Sequence, residues 1–340
     1  MFEFICSIRK YINYVCDLCF DKPTLIQPIE DNDTDNTTYT MIFPYSKKNN
    51  ITRELNIVFD KIYKGELLPL SKKSKSDSLY LYNDKIYKLG YTNIKQYLDV
   101  ISVIQNYNIP NIVTPEFIYE NKYLVSPRND YVQIFKYYKH GDLFDYIEQN
   151  NIVLNSNEKI NIFRKIINLI APFHAKGLAH RDIKLENILV YYDECNNLQL
   201  KLIDLDFACI SKNDLDFHGG STYYVSYEVM NREKVKKELN DITDWRYVDI
   251  WSATTILYIL LFNTFPWENS QEKTENKLFM EYLYYYNSFH TDSYWGRKLS
   301  SLDLEAHHLD LVFPIFKHGF DIEHTTRVDI FYIQNLLNTY

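Results

Sequence analysis

The chain has 340 residues, of which 46% are hydrophobic and 24% are charged. This composition indicates a packed protein of about two domains and excludes a disordered chain or a collagen-like fibre. The formal net charge of −8 argues against a protein that binds nucleic acid by neutralising phosphates. Five cysteines make an odd number without a dense framework, which excludes a disulfide-stapled secreted module. The longest apolar run, residues 256–262, is much shorter than the roughly 20 residues of a membrane-spanning helix, so we expect an intracellular, cytoplasmic protein.

Residues 1–20 are predicted to form an amphipathic helix, because their apolar residues recur at spacings near 3.6. This helix either packs on the protein's own surface or contacts a membrane surface. Cys16 and Cys19 form a single C-x-x-C pair. A four-cysteine zinc site needs a second pair, which the sequence lacks, so this pair alone does not indicate zinc. Residues 21–54 are polar and acidic and are predicted to form a linker.

The rest of the chain changes from strand-like to helical patterns near Gly141. The strand-like runs are residues 79–82, 84–89, 117–125 and 131–135, with one helix at 93–106 between them. The clearest later helices are residues 159–174, 247–262 and 329–337. We therefore predict an α+β fold with two lobes, a small β-rich one at 55–135 and a larger, mainly helical one at 136–340. Clefts between such units are common ligand sites.

The most specific motif lies at residues 180–187, which read HRDIKLEN. It resembles the catalytic loop, H-R-D-x-x-x-x-N, of eukaryotic-type serine/threonine protein kinases. The resemblance implies that Asp182 accepts the proton of the attacking hydroxyl and that Asn187 holds a metal ion against the phosphates. Lys184 is the residue that serine/threonine kinases carry at its position, and it would stabilise charge on the transferring phosphoryl group.

Asp204 follows the apolar run 200–203 and occupies the position of D-F-G in this family, where it would bind Mg²⁺. The motif departs from the family at Leu205 and Asp206. Leucine for phenylalanine is a mild apolar change. Aspartate for glycine is expected to restrict the backbone of the loop and to add charge.

Two further segments fit the same resemblance. Residues 220–228, GSTYYVSYE, resemble the segment that ends in A-P-E, and Glu228 would form a buried structural pair with Arg327. Asp249, in the sequence VDIWS, matches the start of the family's central helix. There it would brace the catalytic loop.

The small lobe matches the family less closely. Lys88 is similar to the lysine of V-A-I-K, which holds the α- and β-phosphates of ATP, and Asp99 is the nearest acidic candidate for its helix partner. The glycine-rich phosphate loop is missing. Residues 69–78 contain three lysines in its place, which either lie in a solvated loop or neutralise phosphate.

The adenine site is placed by residues 141–144, GDLF, which resemble the segment after a kinase hinge. Counting back, Phe135 would be the bulky residue at the rear of the adenine pocket. Tyr137 and its two neighbours would supply backbone hydrogen bonds to adenine, and Asp142 would lie near the ribose hydroxyls.

The family resemblance also bears on how the protein would be activated. In this family, the arginine before the catalytic aspartate usually pairs with a phosphate on the activation segment, the stretch between D-F-G and A-P-E. Ser211 is the one hydroxyl residue between 206 and 220. Our hypothesis is that Asp214 or Asp216 pairs with Arg181 in place of that phosphate. The alternative is that both are solvated acids of a loop.

The resemblance covers residues 55–340 and implies a serine/threonine kinase that uses ATP and Mg²⁺ to phosphorylate protein substrates. The alternatives are a pseudokinase that acts as a protein-binding scaffold and a small-molecule kinase on the same fold. The sequence favours Asn, Ile, Lys, Tyr and Phe over Gly and Pro. That bias is typical of AT-rich genomes such as those of some large DNA viruses and parasites.

Overall fold

The computed structural model describes residues 39–43, 51–70, 78–90, 93–121, 131–149, 154–211, 219–231, 244–267 and 276–339. The chain divides into two compact units, each described by itself below. The first holds the described residues up to 93 and those of 113–139, and the second holds 94–112 and those from 140 onward. The helix predicted at 1–20, with its C-x-x-C pair, lies outside the described residues. Of the helices that the structure describes, none is long and apolar enough to cross a membrane.

The first unit is an antiparallel sheet with one helix. Its strands follow the order β1-β4-β5-β3-β2. They are β1 (Tyr39–Phe43), β2 (Ser78–Tyr82), β3 (Lys85–Gly90), β4 (Phe117–Asn121) and β5 (Tyr131–Lys136), and the helix is α1 (Ile51–Tyr63). Tyr87 and Leu89 of β3 enter the core of this unit, and Lys88 lies between them. Because successive strand residues point to opposite faces, Lys88 projects from the face opposite that core.

The linker predicted at 21–54 is wrong where the structure describes that segment. It contains all of β1 and the first residues of α1. Leu55, Val58 and Ile62 of α1 are buried in the core of the first unit, at the i, i+3, i+7 spacing of a helix face. The polar composition of the preceding residues obscured this periodicity.

The second unit is mainly helical and has two short antiparallel strand pairs. Its helices are α2 (Ile94–Asn106), α3 (Leu143–Gln149), α4 (Ser156–Ala175), α5 (Tyr227–Met230), α6 (Arg246–Phe262), α7 (Lys277–Asn287), α8 (Thr291–Leu299), α9 (Ala306–Gly319) and α10 (Ile330–Thr339). The strand pairs are β6 (Leu178–Ala179) with β9 (Cys209–Ile210), and β7 (Ile188–Tyr192) with β8 (Leu198–Leu202). The four helices predicted from periodicity are confirmed, each within a few residues.

Helix α6 runs through the core of the second unit and is buried on nearly all sides. Its two internal threonines satisfy their hydroxyls within the helix: Thr254 donates to Ile250 O at 2.8 Å, and Thr255 donates to Trp251 O at 3.0 Å. Helix α2 also belongs to this unit, although the sequence placed it in the small lobe. Gln96 of α2 donates from Nε2 to Ala208 O at 2.8 Å.

The expected pair of Glu228 and Arg327 is confirmed. The guanidinium of Arg327 donates to both carboxylate oxygens of Glu228, at 2.9 and 3.0 Å, and both side chains are fully buried. Arg327 also donates to the carbonyl oxygens of Tyr247 and Asp321. Burial alone would raise the pKa of Glu228, but the guanidinium outweighs it and holds the pKa below its usual value. The pair therefore ties α5 to the loop before α10.

We predict that Glu228→Gln lowers the free energy of unfolding by about 3–5 kcal/mol, because it leaves a buried guanidinium without its counter-charge. Since the folded pKa is depressed, the stabilisation is complete above the unfolded pKa, about 4.3, and is lost as pH falls through the folded pKa. The free energy of unfolding is measured by urea denaturation with tryptophan fluorescence as the signal. All four tryptophans lie buried in the second unit and report its unfolding. Glu323→Gln, an exposed carboxylate, is the control, and an equally small effect of both changes would contradict the prediction.

Candidate active site

The loop at residues 180–187 is held by a carboxylate from α6. Asp249 is fully buried; its Oδ1 accepts from Arg181 N and its Oδ2 from His180 N, both at 2.7 Å. His174 of α4 donates from Nε2 to Oδ2 at 2.9 Å. Arg181 has φ +66, a left-handed conformation that costs a non-glycine residue about 1–2 kcal/mol. The two backbone hydrogen bonds to Asp249 offset this cost and fix the entry to the loop.

The carboxylate of Asp182 is the centre of a hydrogen-bond network. Its Oδ1 accepts from Ser221 N at 3.0 Å and from Ser221 Oγ at 2.9 Å. Its Oδ2 accepts from Lys184 Nζ at 2.6 Å and from Asn187 Nδ2 at 2.9 Å. Lys184 Nζ also donates to Ser221 Oγ at 2.8 Å. Four donors therefore meet the roughly four lone-pair positions of one buried carboxylate.

Lys184 supplies positive charge beside this carboxylate. Burial alone would lower its pKa, but nearby carboxylates outweigh that effect and raise the pKa above its usual value. These carboxylates belong to Asp182, Glu186 and Asp204. Lys184 is therefore a cation at neutral pH and can stabilise negative charge that develops close to Asp182.

Ser221 reaches Asp182 because a glycine precedes it. Gly220 has φ +95, and a Cβ at this position would lie 3.1 Å from the carbonyl oxygen of Arg181. Glycine therefore allows the two backbone segments to approach closely. We did not single out Ser221 from the sequence, although a hydroxyl directly after a glycine in this segment was the available signal.

Asn187 and Asp204 lie at the same end of the β7–β8 hairpin. Asn187 directly precedes β7, Asp204 follows β8 by two residues, and Ile203 N donates to Asn187 O at 3.0 Å. The amide nitrogen of Asn187 donates to both the carbonyl oxygen and Oδ2 of Asp182. The amide oxygen of Asn187 and the carboxylate of Asp204 are hard oxygen donors, the type that Mg²⁺ prefers.

Asp206 does not disturb the turn in which it lies. Residues 205–207 form a single 3₁₀ turn in which Leu205 is buried. The positive φ in this region belongs to Asp204, at +64, and Asp206 is not among the residues with positive φ. Any residue can adopt this conformation, and the expectation that aspartate restricts the backbone of the loop stays a prediction.

A family profile described as the protein kinase domain matches residues 80–309, which is more than half of the chain. The chain belongs to the protein kinase family. It is 30% identical over 175 residues to NUAK family SNF1-like kinase 1 of Mus musculus, covering 51% of this chain and 24% of that protein. It is 28% identical over 237 residues to calcium-dependent protein kinase 5 of Plasmodium berghei (strain Anka), covering 64% and 38%.

A solved structure, that of the Rad53 kinase domain and SCD2 in complex with AMPPNP, matches with a TM-score of 0.49 and 18% identity. The match covers 82% of this chain and 91% of that one. The two curated relatives are much longer than their matched parts, and the chain spans less than half of the length of each.

The nucleotide-binding residues expected of a kinase fall in both units. Lys88 lies on β3 of the first unit's sheet, paired with Leu79 on β2 and Gln133 on β5. Phe135 lies opposite Ile86 on β3. Tyr137 N donates to Asp84 O at 3.2 Å. The three lysines that stand in place of the glycine-rich loop, Lys72, Lys73 and Lys75, lie outside the described residues.

Two other predicted residues belong to the second unit. Asp142 Oδ1 accepts from Asp145 N at 2.8 Å, so Asp142 caps the start of α3, a structural role that the sequence prediction did not include. Asp99 is exposed on α2, away from the buried residues Tyr97 and Val100. Its ion pair with Lys88 stays a prediction.

The side chain of Arg181, which we expected to meet a carboxylate, contacts residues of two other described segments. Its Nε donates to Phe207 O at 2.6 Å, and its guanidinium lies 5.2 Å from the ring centroid of Trp245. Asp214 and Asp216 lie outside the described residues, so the hypothesis about them stays a prediction.

Ser211 is only 2% exposed, and its hydroxyl donates to Asp244. Burial alone would raise the pKa of Asp244, but hydrogen bonds from Arg246 and Ser211 lower it to about 2. Ser211 is therefore a buried partner of an ionised carboxylate, and in this conformation a modifying enzyme cannot reach it.

We predict that Gly220→Ala lowers the free energy of unfolding by about 1–3 kcal/mol, because alanine at φ +95 is strained and its Cβ crowds Arg181 O. Gly296→Ala is the matched control. Gly296 lies in α8, and a Cβ there meets nothing within 4 Å, so helix propensity should make that variant more stable by up to about 1 kcal/mol. Urea denaturation of the two variants measures the difference. A Gly220→Ala protein as stable as wild type would contradict the close approach.

Proposed function

We propose that this chain is a serine/threonine protein kinase that transfers the γ-phosphoryl group of ATP to protein hydroxyls. The observation that carries the proposal is the triangle of Asp182, Lys184 and Ser221. A serine hydroxyl there donates to the carboxylate at 2.9 Å and accepts from the ammonium at 2.8 Å. These are the two interactions that an attacking hydroxyl needs, one to take its proton and one to stabilise charge.

The incoming hydroxyl must displace one donor from Asp182, because four donors already meet its carboxylate. The hydroxyl of Ser221 is the donor that is exchanged at least cost, since it is neutral and on a side chain that can rotate. The substrate oxygen then forms a bond to the γ-phosphorus as the bond to the ADP oxygen breaks, and its proton passes to Asp182. Lys184 stays protonated throughout because its pKa is raised.

The remaining assignments are proposed from the family resemblance. The donor set of Asn187 and Asp204 suits Mg²⁺, which together with ATP would supply the phosphoryl group and neutralise its charge. Lys88 would hold the α- and β-phosphates, and Phe135 and Tyr137 would contact adenine. Asp142 would lie near the ribose while it caps α3.

The direct test is transfer of labelled phosphate from ATP and Mg²⁺ to generic protein substrates. We expect transfer by the wild type and a loss of about 10²–10⁴-fold in Asp182→Asn, because asparagine cannot accept the proton. Asp310→Asn, an exposed acid on α9, should keep full activity. Phosphoamino-acid analysis of the product should give phosphoserine or phosphothreonine.

The pseudokinase alternative makes the opposite prediction. If the folded wild type transfers no phosphate to several substrates, the proposal of catalysis is wrong and a scaffold is favoured. Nucleotide affinity measured on the same sample then separates a scaffold that binds ATP from one that does not.

Ser221 provides a second prediction. Ser221→Ala removes the acceptor for Lys184 Nζ, a hydrogen bond that remains when the substrate hydroxyl replaces Ser221 on Asp182. A hydrogen bond to a charged group is worth about 1.5–3 kcal/mol, so we expect kcat to fall by about 10- to 100-fold with little change in KM for ATP. Ser221→Thr keeps the hydroxyl and should retain most of the activity. If alanine and threonine behave alike, the hydroxyl has no part in positioning Lys184.

A further inference from the structure

Three metal-ligating side chains lie together at the start of α9, in a part of the chain to which the proposed kinase mechanism assigns no role. They belong to Glu305, His307 and His308, and one ligand atom of each lies within 4.8 Å of the others. Nδ1 of His307 is 3.2 Å from Oε2 of Glu305, and the two imidazole rings have their centroids 4.0 Å apart. Glu305 and His307 are exposed, whereas His308 is only 4% exposed.

The buried histidine is held in one tautomer. Nε2 of His308 lies 2.9 Å from Oδ1 of Asn157, on the first turn of α4. An amide oxygen can only accept, so Nε2 carries the proton and Nδ1 has the lone pair. Nδ1 is buried and has no hydrogen-bond partner among the residues that the structure describes. Buried polar atoms in folded proteins nearly always have a partner, so Nδ1 of His308 is a candidate ligand atom.

With the proton on Nε2, the lone pair of Nδ1 of His308 is available to a metal. The carboxylate of Glu305 supplies negative charge that a bound cation needs.

We propose that Glu305, His307 and His308 bind a divalent transition-metal ion, of which Zn²⁺ is the best match. Two imidazoles and one carboxylate suit zinc, whereas Mg²⁺ and Ca²⁺ prefer sites made of oxygen alone. The 3.2 Å separation in the Glu305–His307 pair is close to the edge of a tetrahedron around zinc, about 3.3 Å for bonds of 2.0–2.1 Å.

The contact to Asn157 fits the same assignment. A histidine that binds a metal through one ring nitrogen commonly donates its other N–H to a carbonyl or carboxylate, which fixes the ring. Asn157 does this for His308, and it also connects the start of α9 to the start of α4. A bound metal would therefore stabilise the packing of these two helices within the second unit. A water or a group from a partner would complete the coordination.

The test uses the full-length, untagged protein, stripped of metal with a chelator and titrated with Co²⁺ as a coloured substitute for Zn²⁺. Millimolar Mg²⁺ is present to occupy all-oxygen sites. The titration is made in a Cys16→Ser/Cys19→Ser background, so that thiolate ligation cannot contribute. We expect one equivalent of Co²⁺ with the visible absorption of a four-coordinate site, and its displacement by Zn²⁺.

The matched comparison is Glu305→Ala/His307→Ala against His290→Ala, an exposed histidine outside the cluster. We expect the double variant to bind Co²⁺ at least tenfold more weakly and His290→Ala to bind as the parent does. Near-ultraviolet circular dichroism confirms that each variant is folded. Absence of Co²⁺ binding by the folded parent, or equal affinity of the double variant and His290→Ala, would overturn the proposal.

The part played by His308 is tested through its partner, because changing a buried histidine risks the fold. Asn157→Ala removes the acceptor for Nε2, and loss of such a partner typically weakens metal binding by 10- to 100-fold. We expect that loss here. Unchanged affinity in Asn157→Ala would show that His308 is not a ligand and would overturn the three-ligand site.

Discussion

The position of the loop at residues 180–187 depends on one buried carboxylate. Asp249 comes from the first turn of α6, the central helix of the second unit, and accepts from the backbone of His180 and Arg181 and from the ring of His174. It thereby holds a left-handed residue next to Asp182. The position of the Asp182 carboxylate thus depends on the packing of a core helix, which is more rigid than a loop.

The other contacts of the site are built on that position. The carbonyl oxygen of Arg181 is the atom that Gly220 approaches, and this approach brings the hydroxyl of Ser221 to Asp182. Lys184 and Asn187 reach the same carboxylate from the 3₁₀ turn that follows. A change in Asp249 is therefore expected to affect all of these contacts together, because they share one backbone segment.

The sequence predicted the arrangement of the proposed catalytic residues better than that of the small lobe. Asp182, Lys184, Asn187 and Asp204 occur at family spacings, and the structure brings them together. Periodicity also found the long buried helices. It missed β1, a short strand in a polar stretch with a weak signal, and all of α1, whose apolar residues alternate with many polar ones. It also missed the capping role of Asp142, because a cap is recognised only when the helix start is known.

The most direct measurement is amide hydrogen exchange at residues 178–187 in the wild type and in Asp249→Asn. Asparagine keeps the volume of the side chain but places a donor where one carboxylate oxygen accepted. We predict that the amides of His180 and Arg181 exchange at least about tenfold faster in the variant, while the middle of α6 stays protected. Unchanged protection of both amides in the variant would contradict the account.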